Sequence, residues 1–142
     1  MTYNQIVQTI KTLLQSHQMI NTTRFATPQE WLMWDEQPVF PCASFSINSG
    51  SINTGRELVY NCQFWFLDKS GIEGEFETEV ISDQHQIAND IINSLRKNNL
   101  LIVDSITNWN AVSEKFEDYL SGVEFTINIS TIGEFDLCDF PS

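Results

Sequence analysis

Basic residues are scarce in this chain. Seven Lys and Arg stand against nineteen Asp and Glu in 142 residues, and the formal net charge is -12. A chain of that balance repels nucleic-acid phosphate, so sequence-specific DNA or RNA binding is not expected. Cysteine is scarce too. Cys42, Cys62 and Cys138 are widely spaced and odd in number, which argues against a disulfide framework and fits a reducing cytoplasm. No apolar run approaches the ~18 residues of a membrane span. Met1-Thr2-Tyr3-Asn4-Gln5 offers neither a basic n-region nor an apolar h-region, so no secretory leader is expected. No internal repeat and no low-complexity block is visible.

What is present fits one domain spanning residues 1–142. The apolar fraction of 42% and aromatic fraction of 12% belong to a globular chain. A chain of this length buries roughly 70% of its unfolded surface, enough for a core without staples.

Two segments carry helical periodicity. Over residues 2–19, Ile6, Val7, Ile10, Leu13, Leu14 and His17 form one apolar stripe, and Thr2 with Gln5 reads as a capping box. Over residues 78–98, Val80, Gln84, Ile87, Ile91 and Leu95 form a second stripe, broadened by Ala88 and Ile92. Asp83 near its start and Arg96 and Lys97 near its end suit the helix dipole.

The remaining elements read as strands. Residues 39–47 give the first, with Pro41 placing it at an edge or a strand start. Residues 48–55 read as a polar loop, and residues 56–68 as the second strand of a long hairpin. Residues 100–109 give a third strand. Residues 111–120 break parity and read as a bulged strand. Residues 122–132 alternate Val123, Phe125, Ile127 and Ile129 with Glu124, Thr126, Asn128 and Ser130, so one face is buried and the other wet. The expected fold is α+β: an antiparallel sheet of about four strands with two helices packed on one face.

Catalytic and ligand-binding patterns are thin. His17 and His85 sit on the two predicted helices and read as helix residues rather than metal ligands, since a metal site needs several convergent donors. Cys42 and Cys62 can face each other across the hairpin, and either could pair with a histidine as a nucleophile, but no local signature supports this. The free cysteines read better as small apolar fillers. Glu73, Glu75, Glu77 and Glu79 lack the spacing of a calcium loop, and Gly71 and Gly74 lack the lysine of a phosphate loop. No catalytic residue, metal or cofactor is expected.

Contact elements are more legible. Between residues 21 and 38, Trp31 and Trp34 either cover the core's edge or anchor a protein contact, where tryptophan is over-represented. A short helical turn at 28–34 suits Thr27 as cap and Pro28 as first position. Asn48, Ser49, Gly50, Ser51, Ile52 and Asn53, at the hairpin tip, are the other candidate contacts. Glu114, Glu117 and Asp118 form an acidic patch that would line the lumen of a ring or be solvated in a monomer.

The order of these parts resembles tail terminator and neck (head–tail joining) proteins of tailed bacteriophages. The parts are the helix at 2–19 and the segment Phe25, Trp31, Asp35, Phe40-Pro41 entering a strand. They continue with the helix bearing Glu79-Val80-Ile81-Ser82-Asp83 and Ile87-Ala88-Asn89-Asp90-Ile91-Ile92, and with Gly122-Val123-Glu124-Phe125-Thr126-Ile127, Cys138 and Pro141 toward the end. The resemblance implies a virion protein, made in the host bacterial cytoplasm. It implies a homo-oligomeric ring of 6 or 12 subunits that contacts portal, neck or tail-tube proteins and lets DNA pass without gripping it. The acidic balance fits such a channel. Two other readings stand beside it: an acidic immunity- or adaptor-type module for a basic partner, and a small hydrolase using Cys42 or Cys62.

Overall fold

The computed structural model describes residues 3–34, 36, 38–52, 57–70, 76–104, 108–115 and 120–132. Its elements are α1 (Tyr3–Ser16), β1 (Thr22–Arg24), α2 (Pro28–Trp31), β2 (Cys42–Ile52), β3 (Glu57–Lys69), α3 (Glu77–Lys97), β4 (Ile102–Val103), β5 (Asn108–Lys115) and β6 (Leu120–Ile132). The class is α+β, but the sheet has six strands rather than about four.

Sheet order is β1-β2-β3-β6, with β4 and β5 both on the far side of β6. All pairings are antiparallel except β1 with β2, which is parallel. The long hairpin is present, and its second strand also pairs with β6 along its whole length, from Glu57 opposite Ile132 to Lys69 opposite Leu120. Strands of alternating Phe, Cys and Tyr on one face fit such a central position, because that face packs on helices.

Both amphipathic helices lie on one sheet face. Ile6, Val7, Ile10 and Leu14 of α1 and Ile87, Ala88, Ile91 and Leu95 of α3 join Ala43, Phe45, Cys62, Phe64, Phe66, Val123, Phe125, Ile127 and Ile129 in the main core. Phe64 and Phe125, register partners on β3 and β6, stack with centroids 4.8 Å apart. α1 is tied to α3 by His17, whose Nε2 lies 3.0 Å from Asp90 Oδ2.

The opposite face has a smaller core at one end. After β1 the chain crosses to that side, and α2 presses Trp31 onto Cys42, Trp65, Leu67, Val112 and Leu120. The rest of this face is wet and rich in amides. Asn61 donates to Asn128 across β3 and β6 at 3.0 Å, and Trp65 Nε1 donates to Glu124 at 3.1 Å.

Three expectations need correction. Residues 48–52 are not a loop: β2 runs on through them to Ile52, with Asn48 as a bulge between Ile47 and Ser49. Their polar composition suggested a loop, but the ladder with β3 satisfies their backbone groups and outweighs weak local propensity. The strand expected at 100–109 is split, with β4 ending at Val103 and β5 starting at Asn108. Val103 faces Ile129 and Asn108 faces Thr126, so five steps on the outer lane match three on β6 and the register does not carry through from β4 to β5. Finally, β1 was not foreseen, because three residues are too few to show a period. The bulge expected within 111–120 is present, between Val112 and Lys115.

Candidate functional site

Cys42 and Cys62 do not come together as a reactive site. Cys42 and Cys62 are not opposite one another: Cys42 faces Leu67 and Cys62 faces Ile47, on opposite sides of the sheet. Burial pushes each thiol up to about 12, and for Cys42 the nearby Arg24 charge only partly offsets it. Such thiols hold their protons at neutral pH and are poor nucleophiles. Cys138 lies outside the described residues.

The histidines are engaged elsewhere. His17 accepts from the Met19 N–H through Nδ1 and meets Asp90 through Nε2. His85 packs its ring against Trp109, centroids 4.6 Å apart. Among the described residues, no three His, Cys, Asp or Glu side chains converge as metal ligands would. Burial, with Asp83 close by, raises the Asp68 carboxyl above its usual range, against the lowering effect of the Lys69 N–H it accepts. With burial as its largest cause, this shift reads as a local cost of packing.

Of the two candidate contact tryptophans, Trp31 is corrected. It is 0% exposed, sealed under α2 in the smaller core. Its place at the first helical turn points it at the sheet, so it holds α2 down and cannot meet a partner. Trp34 behaves differently: it is 43% exposed and lies beneath the Arg24 guanidinium, 5.6 Å from the ring centre. Met33 and Val39 are exposed beside it in sequence.

The hairpin candidates fall on an open edge. β1 covers β2 only at Cys42, Ala43 and Ser44. Beyond that point β2 has no outer partner among the described residues. Asn48 is braced by Ser46, which donates to its Oδ1 at 3.0 Å, and it donates in turn to Gln63 at 3.3 Å. Ser49, Gly50, Ser51 and Ile52 are exposed, with Ile52 at 71%. Gly50 admits no side chain, since a Cβ there would sit 2.7 Å from the Val59 carbonyl oxygen. Asn53, Glu117 and Asp118 lie outside the described residues, and of Glu114 only the backbone, within β5, is described.

The opposite edge was missed. β4 and β5 border β6 and have no outer partner among the described residues. Leu100, Ile102 and Trp109 are exposed along it, Trp109 at 51%. One signal could have found both edges. No residue is charged between Glu36 and Arg56, nor between Asp104 and Glu114, in a chain of net charge -12. Open edge strands are usually protected by charge, above all by lysine. Comparison of the sequence with models of known families and with curated proteins finds no match.

Proposed function

We propose that this protein is an assembly part: a ring-forming structural protein of a phage virion, at the head–tail junction or the tail end. The observation that carries the reading is a pair of strand edges on opposite sides of one sheet, β2 beyond Ser44 and β5, which have no outer partner among the described residues and are uncharged over Phe45–Ile52 and Asn108–Val112. Two different edges on one subunit suit a head-to-tail contact, which gives a ring where the rotation between subunits closes and a filament where it does not. The phage setting rests on the order of elements, which resembles tail terminators and neck proteins. In that setting the partners are further copies of this chain and the portal, neck or tail-tube proteins above and below. DNA passes through the ring without specific binding, as the acidic balance favours. The work done is mechanical, with no catalytic step.

The test is the mass of the full chain in solution, by light scattering behind a sizing column, with negative-stain imaging of any large species. Closed rings with a central hole are expected. A monomer at high concentration that instead captures a basic protein overturns the ring reading in favour of an acidic binding module.

A further inference from the structure

We infer that neighbouring copies join by adding β2 of one subunit to β5 of the next as an antiparallel pair, with Ser51 opposite Asn110 and Ile52 opposite Trp109. This inference rests on the ring reading and specifies its joint.

Strand direction comes first. Along the sheet, β2, β3, β6 and β5 alternate in direction, each antiparallel to its neighbour. If the next copy continues the sheet with its helices on the same face, its β2 runs antiparallel to β5. That is the pairing with the more favourable hydrogen-bond geometry.

The side chains fix the register. Past the bulge at Asn48, Ser49 and Ser51 face the amide-rich side with Asn61 and Val59, while Gly50 and Ile52 share the helix-covered side with Tyr60 and Leu58. On β5, Asn108 and Asn110 pair with Thr126 and Glu124 on the amide-rich side, and Trp109 and Ala111 pair with Phe125 and Val123 on the other. Setting Ser51 against Asn110 brings Ile52 against Trp109 and Gly50 against Ala111. Two exposed apolar side chains then cover each other as an aromatic and β-branched cross-strand pair. A hydroxyl meets an amide, and none of these three pairs contains a charged residue. His85, its ring tilted against Trp109, holds the indole in place.

The same register sets the slope of the strands. Across the sheet Asn110 is level with Glu124, Trp65 and Ser44. Pairing it with Ser51 therefore offsets each copy by about six residue steps, or roughly 20 Å, over four strand widths of ~4.8 Å. The resulting slope is roughly 45°, the size of the strand tilt found in closed barrels.

Oxidative cross-linking of the full chain tests this, in a Cys138→Ser background. The chain carrying both Ser51→Cys and Asn110→Cys is expected to link into a ladder ending at the ring's own subunit count. Ser51→Cys alone and Asn110→Cys alone are expected not to link. Intact rings with no ladder overturn the joint and leave the ring reading standing. Dimers from Ser51→Cys alone overturn it in favour of a two-fold β2–β2 contact. A chain that is monomeric at every concentration and forms no ladder overturns both. As a second arm, Trp109→Ala should raise the concentration for half-assembly by roughly tenfold. Ser49→Lys with Ser51→Lys should abolish rings while the circular dichroism spectrum stays that of the parent. Unchanged assembly in both variants overturns the joint.

Discussion

Gly122 shows how narrowly single positions are set in this fold. A Cβ added there would lie 1.8 Å from the Phe66 carbonyl oxygen, which is backbone of the central strand and cannot swing aside. Gly122→Ala should therefore cost about 1–3 kcal/mol, as overpacking does, seen as a lower denaturant midpoint at unchanged slope. The two tryptophans of the α2 segment should separate cleanly. Trp31→Ala empties a fully buried site and should cost about 3–5 kcal/mol, whereas Trp34→Ala, on the surface, should stay within about 1 kcal/mol of the parent. The thiols give a pH signature. Because burial raises Cys42 and Cys62 from 9.0 to about 12, the unfolded chain releases these protons first. The stability tied to the protonated thiols is complete below pH 9 and declines as pH climbs toward 12. Iodoacetamide at neutral pH should label both slowly and at similar rates, and quickly only after unfolding. Fast labelling of one alone would revive the nucleophile reading.

At the scale of elements, the helices were legible and the edges were not. The stripes of α1 and α3 could be read to within a few residues because helical periodicity repeats over 14 and 21 residues. Leu14→Ala in the first stripe should cost about 2–5 kcal/mol. Asp90→Asn, which breaks only the exposed bond to His17, should cost under about 1 kcal/mol. β6 was legible because strict alternation is unambiguous. β2 beyond Ile47 was not, because Asn-Ser-Gly-Ser has the composition of a turn and is held extended only by its partner strand. The outer lane of β4 and β5 was blurred because its register with β6 shifts between the two strands. Of the candidate contact residues, Trp34 and residues 48–52 of β2 are exposed. It misjudged Trp31 because an aromatic on a four-residue helix shows no face of its own. It passed over Trp109 because that residue stood at the end of a strand placed too far upstream.

For the molecule as a whole, charge is unevenly shared. Glu77, Glu79, Asp83 and Asp90 stand on α3, while β2 from Cys42 to Ile52 carries no charge at all. Two copies approaching through solution therefore repel through their bodies, over a reach of about 10 Å at 0.1 M salt and ~30 Å at 0.01 M. The edges by which they would join add little to that repulsion, since β2 is uncharged and the Glu114 and Lys115 of β5 offset each other. Salt should then drive association: light scattering should report larger species as sodium chloride rises, the reverse of an interface held by ion pairs. If added salt instead dissolves the assembly, the contact lies on a charged surface and not on these edges. The same uneven sharing makes the buffer a variable of the protein's biology. Dilute and low in salt, the chain should stay dispersed by its own field. Under the ionic strength of a cell that field should shrink to about the width of a strand pair, leaving the uncharged run of β2 as the surface expected to meet a second copy first.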